Sequence, residues 1–133
     1  MILHITDQRM LREIQIDFSK QFPYLRIEFF TPSHRNNTPE TNSSKIDPYI
    51  RAGVIRKKHF AHAVNVFPDT SVKEFEQMMR DDFNADVQVY HYTKAGWLQT
   101  DVTDIATLDE LNDQGRRDFN ELHNTAAQTK NLL

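Results

Sequence analysis

The pattern that most constrains this chain is an abrupt change of period at Pro23. Leu11, Ile14, Phe18 and Phe22 recur at intervals of three, four and four residues, which places them on one face of a helix. Arg9, Arg12, Glu13, Asp17 and Lys20 surround that stripe. Pro23 disfavours helical backbone in the residue before it, so the helix ends at or before Phe22. Directly beyond, Leu25, Ile27 and Phe29 alternate with Arg26 and Glu28, the period of a half-buried strand. Tyr24 and Phe30 share the polar side, so that side is not expected to be fully wet. A helix that turns at once into a strand, each with one apolar face, is buried by layering helices on a sheet.

The same alternation of periods continues along the chain. Ile2 to Ile5 reads as a first strand, with Thr6 as the expected cap of the helix that follows. Phe60 to Phe67 reads as a strand with Phe60, His62, Val64 and Val66 on one side, ended by Pro68. Ser71 and Glu74 have capping-box spacing, and Val72, Phe75, Met79 and Phe83 form a second helical stripe. Asn84 is the expected left-handed cap of that helix. Val87, Val89 and His91 alternate with Gln88, Tyr90 and Tyr92, and Lys94-Ala95-Gly96 is the expected turn to a returning strand from Trp97 to Thr100. Ile46 to Ile55 reads as a packed turn or short helix. Thr107 and Glu110 form another capping box, opening a short helix through Leu111. The expected architecture is α+β, with two helices packed on one face of a four- or five-stranded, mainly antiparallel sheet. A ferredoxin-like βαββαβ core with an added hairpin strand fits best, and a β-grasp-like arrangement is the rival. Residues 1–115 form the expected single domain, carrying a long polar loop at 31–45, and 116–133 a polar, partly helical tail.

Composition narrows the chemistry. With 133 residues the chain can bury roughly 65–70% of its unfolded surface, so it needs no staple to fold. The absence of Cys excludes disulfides, Cys-type zinc sites and a thiol nucleophile. Three separated glycines, Gly53, Gly96 and Gly115, leave no Gly-rich phosphate loop. No apolar run approaches the roughly 18–20 residues of a membrane span, and the N-terminal residues lack the pattern of a signal peptide, so the expected location is the cytoplasm.

Three stretches carry a family resemblance. They are Phe22-Pro23-Tyr24-Leu25-Arg26-Ile27-Glu28-Phe29-Phe30; Thr70-Ser71-Val72 with Phe83 and Val87-Gln88-Val89-Tyr90; and Gly96-Trp97-Leu98-Gln99-Thr100 with Thr103-Asp104 and Thr107-Leu108. Together they resemble a family of small uncharacterised bacterial proteins, over about residues 10–115. His91 and Ala95-Gly96 stand where that family carries an Arg and a Ser-Gly. The resemblance implies a single bacterial α+β domain and implies no activity.

Several groups could carry chemistry, each beside a plainer role. His59 and His62 have a metal-like spacing, but residues three apart on a strand face opposite sides, and a third ligand is not evident. His91, between Tyr90 and Tyr92, could be a general base beside His62 if their strands pair, yet no nucleophile or paired carboxylate is marked. Asp101, Asp104 and Asp109 with Thr100 and Thr103 lack the spacing of a calcium loop, and turn and cap roles explain them better. The pair Asp81-Asp82 at a helix end reads as a solvated face. No metal and no cofactor is therefore expected.

Charge and aromatics point to binding rather than catalysis. Residues 1–68 hold ten basic and six acidic side chains, and 69–133 hold six and thirteen, so a net charge of −3 divides into +4 and −7. Arg51, Arg56, Lys57 and Lys58 concentrate the positive excess, and they either pair with the acidic 69–86 and 101–121 segments or bind an anion. Tyr24, Phe30, Tyr90, Tyr92 and Trp97 are expected on one sheet side that needs a cover: a second copy, a partner, or the chain's own 46–60 segment or tail. The leading reading is a non-enzymatic protein-interaction module, self-associating through that aromatic face. The second is a nucleic-acid-binding module using the basic 51–59 segment, against which stand the negative net charge and the missing RRM signature. The third is a small enzyme around His62 and His91.

Overall fold

The computed structural model describes residues 1–32, 44–100 and 105–132. Its described residues form three helices and five strands in an α+β arrangement. The strands are β1 (Ile2–Ile5), β2 (Leu25–Phe30), β3 (His62–Asn65), β4 (Asp86–Thr93) and β5 (Gly96–Gln99), and the helices are α1 (Leu11–Gln21), α2 (Val72–Asp82) and α3 (Leu108–Leu132). Most of the 31–45 loop, together with Asp101, Thr103 and Asp104, lies outside the described residues.

The strands pair in two antiparallel sheets, β1–β3 and β2–β4–β5, where the sequence led us to expect one sheet of four or five strands. In a ferredoxin-like sheet β1 would lie between β3 and β4; here β4 pairs with β2 and β5 instead. Alternation specifies which face of a strand is apolar but says nothing about which neighbour its edge will meet. The β1–β3 pair is closed by reciprocal bonds between Met1 and Val66, at 2.7 and 2.8 Å.

The predicted stripes meet in one core. Leu25, Ile27 and Phe29 of β2 lie beside Val87 and Val89 of β4 on the face that receives α1 and α2. Phe18 of α1 packs on Phe75 of α2 at 4.9 Å between ring centroids, and Phe29 meets Phe83 edge-on at 5.2 Å. Each such ring, fully buried, contributes about 1.5–3 kcal/mol relative to exposure.

Helix ends follow the sequence in part. Ser71 Oγ accepts the Glu74 backbone N–H at 3.1 Å, and Thr107 Oγ1 accepts that of Glu110 at 3.1 Å. Thr6 does not cap α1; Met10 occupies that position, and its N–H is taken by Glu13 Oε1 at 3.2 Å. Nor does Asn84 cap α2: its N–H donates to Ile55 C=O, and Phe83 ends the helix through Met79 C=O. The hairpin turn at Lys94-Ala95 hands over to Gly96 at φ 108°, a conformation that a side chain would strain. The short helix expected after Thr107 continues without a break through Gly115 as α3. Among the described residues no helix is long and apolar enough to cross a membrane.

Candidate functional site

The side of β2–β4–β5 away from the core collects the predicted aromatics. Tyr92 stands directly opposite Trp97, and Arg26 opposite Tyr90. Helix α3 supplies cover at one end of this side. Its Phe119 lies 5.6 Å from Tyr24 and 5.8 Å from Tyr92, and Asn112 Oδ1 accepts the Tyr24 N–H at 2.8 Å. Tyr92 and Trp97 meet edge-on at 5.6 Å, and the Arg26 guanidinium sits 3.9 Å above the Trp97 ring. Tyr24, Phe30, Tyr90, Tyr92 and Trp97 are all half-buried. Of the covers considered for this face, the C-terminal segment is the one seen at Tyr24 and Tyr92.

The basic 51–58 segment divides by role. The Arg56 side chain is fully buried. Its Nη1 reaches Asp7 Oδ1 at 2.9 Å, its Nε reaches Asp82 Oδ2 at 3.3 Å, and its Nη2 donates to Phe60 C=O at 2.9 Å. Asp82 is therefore not the solvated acid its sequence position implied, since its side chain is 3% exposed and faces Arg56. Asp81 is exposed and accepts from Gln77. Arg51 Nη1 is spent on Gln8 C=O at 2.6 Å. The side chains of Lys57 and Lys58 are exposed and have no acid partner among the described residues. His59 and Phe60 continue the exposed run, with Phe60 62% exposed.

Both histidines of the metal-like pair belong to this node. His59 Nδ1 lies 3.2 Å from Asp7 Oδ2. His62 Nδ1 faces Arg56 Nη2 at 3.0 Å, so it accepts, and the hydrogen on Nε2 points to Asp82 Oδ1 at 3.3 Å. Both ring nitrogens of His62 are thus engaged by the Arg56–Asp82 node. The guanidinium of Arg56 already occupies the position a cation would take between the two acids. Among the described residues no group of three or more His, Asp or Glu is placed to hold a metal ion.

His91 does not join His62, because β4 and β3 belong to different sheets. Its Nδ1 bonds Thr100 Oγ1 at 2.9 Å. Asp109 lies exposed in the first turn of α3, where a negative charge favours a helix N-terminus.

Two features were missed in the sequence. Glu76 is 3% exposed and its Oε2 accepts the Val89 N–H at 2.9 Å. Burial pushes its carboxyl up to about 7, opposed by that hydrogen bond and by Arg80 and reinforced by Asp86. It lies four residues after Val72 and next to Phe75, within the apolar stripe of α2, and that place was the available signal. The second is a groove of about 540 Å³ between α1 and β2, lined among others by Arg12, Gln15, Lys20 and Arg26. Periodicity places Arg12, Lys20 and Arg26 only on polar faces. Comparison of the chain with protein-family models, with curated proteins and with solved structures finds no match.

Proposed function

We propose that the protein is a non-enzymatic binding module that docks an acidic segment of a protein partner through Lys57, Lys58, His59 and Phe60. One observation carries this reading. The buried Arg56 holds the Phe60 carbonyl and both acids of the node, while the five residues between it and the strand stay exposed. Internal pairing thus consumes the one cation that faces the interior and leaves the neighbouring lysines available. A pinned backbone reduces the ordering entropy that a mobile loop would lose on binding.

An acidic peptide suits this surface better than a nucleic acid. Two unpaired lysines neutralise few phosphates, and the chain carries a net charge of −3. The exposed Phe60 ring adds an apolar contact that an acidic-hydrophobic peptide can use. The sheet-face self-association read from the aromatics is less supported, since Phe119 packs over Tyr24 and Tyr92.

The test is fluorescence anisotropy with a labelled Glu/Phe-rich peptide and with labelled single-stranded oligonucleotide, at low and at physiological salt. The expected result is saturable peptide binding that weakens with salt and is lost in Lys57→Glu/Lys58→Glu. Tighter binding of the oligonucleotide, or no peptide binding at low salt, would overturn the proposal.

A further inference from the structure

We propose that the protein pairs with a second copy of itself along the outer edge of β3, joining two β1–β3 pairs into one antiparallel sheet. This goes beyond the docking of a peptide: the backbone of β3 carries it, and it stands whether or not Lys57–Phe60 also takes an acidic segment.

The open edge follows from the register. Met1 and Val66 exchange backbone bonds, so by antiparallel alternation Leu3 does so with Val64 and Ile5 with His62. The N–H and C=O groups of Ala63 and Asn65 therefore point away from β1, and they have no partner among the described residues. Both residues are exposed. Burial places the same edge at the periphery. Leu3 and Ile5 are 0% exposed, whereas Val64 and His62, opposite them on the same face, are only half-buried. An added strand would complete the cover of Val64, and a sheet of two strands is marginal by itself.

Nothing guards this edge. The outward carbonyls of β2 are taken internally: Leu25 C=O by Ser19 Oγ at 3.1 Å, Ile27 C=O by Gln15 Nε2 at 3.0 Å, and Phe29 C=O by the Ile46 N–H at 2.8 Å. Residues 60–67 have no such caps on Ala63 or Asn65 and contain no Lys, Arg, Asp, Glu or Pro, the residues that commonly block strand pairing.

Self-complementarity selects the occupant. With Ala63 opposite the partner's Asn65, and Asn65 opposite the partner's Ala63, every outward backbone group of β3 gains a bond, and Val64 meets the partner's Val64 at a two-fold axis. Antiparallel pairing also sets the chain before β3 against the chain after β3 in the other copy. Before it stand Lys58, exposed, and Phe60, 62% exposed. After it stand Phe67, 54% exposed, and Asp69, exposed and without a cationic partner among the described residues. Each copy thus offers a lysine and a ring to the acid and ring of the other. An unrelated acidic peptide matches the charge; a second copy matches charge, rings and edge together.

The test measures sedimentation of the full chain over a wide concentration range, with amide exchange by NMR at both ends of it. A monomer–dimer equilibrium is expected. The Ala63 and Asn65 amides should gain protection as dimer forms, while the Val64 amide, bonded to β1 in both states, stays unchanged. Ala63→Pro removes an outward donor without touching the β1 ladder and should leave a monomer. Asn65→Lys should do the same through charge, and circular dichroism confirms that each variant is folded. Asp69→Lys should weaken the dimer by about fivefold. Lys57→Glu/Lys58→Glu, which removes peptide docking, should also only weaken the dimer, so the two readings fail separately. A wild-type chain that stays monomeric, a dimer that persists in both edge variants, or protection of Ala63 and Asn65 that ignores concentration overturns the assignment.

Discussion

The Arg56 guanidinium lies 3.3 Å from the Asp82 carboxylate, with the two side chains 0% and 3% exposed. This pair ties the segment before β3 to the end of α2, and the Lys57 N–H reinforces the link by donating to the Asp82 backbone carbonyl at 2.8 Å. Two charges removed from water survive only because each finds several partners.

Arg56→Ala should therefore destabilise the fold by about 3–5 kcal/mol, because Asp82 would be left charged and buried. Asp7 matters less, since its side chain is 32% exposed and water can reach it. Arg56→Met/Asp82→Leu, which removes both charges, should be more stable than Arg56→Ala. Urea unfolding of the three proteins reads this order, and a single variant within 1 kcal/mol of wild type (about fivefold in the folding constant) would refute it.

Glu76 predicts a pH dependence. Its carboxyl is raised to about 7 in the folded chain from 4.5. Between those values the folded state holds the proton more tightly than the unfolded state, so stability is greatest on the acid side and falls as pH rises from about 4.5 through 7. The fall reaches up to about 3 kcal/mol at 1.36 kcal/mol per unit. Glu76→Gln keeps an acceptor for the Val89 N–H and should flatten that slope. Chemical denaturation at pH 5, 6, 7 and 8 measures it, and an unchanged slope in the variant would exclude Glu76 as its source.

Gly115 should resist substitution although it lies inside a helix. Ala there would ordinarily add helix propensity of about 1 kcal/mol. A Cβ at this position would meet Tyr24 Cβ at 2.7 Å, so α3 would have to move off the sheet. Gly115→Ala is expected to be destabilising by about 1–3 kcal/mol. A rise in melting temperature would show that α3 does not pack this closely on Tyr24.

Phe119→Ala removes the ring that contacts Tyr24 and Tyr92. The expected loss is about 2 kcal/mol, less than for a fully buried phenylalanine. It also uncovers part of the aromatic side, so sedimentation should show more self-association than in wild type. A variant as stable as wild type in urea would mean that α3 is not held through this ring.

Local features of the fold were legible in the chain itself. The spacing of Leu11, Ile14 and Phe18, the alternation around Ile27, and the Ser71 and Thr107 caps each depend on residues a few positions apart, and all appear where expected. Tertiary structure alone decided the rest. Strand partners were one such choice: β4 joins β2, and β3 joins β1, because an apolar face does not specify an edge. Burial of charge was another. Arg56, Glu76 and Asp82 carry side chains that normally seek water, and only contacts between residues distant in sequence show that they lie inside. The groove between α1 and β2 is of the same kind, since residues of the helix and of the strand line a common space only after the chain has turned back at Pro23.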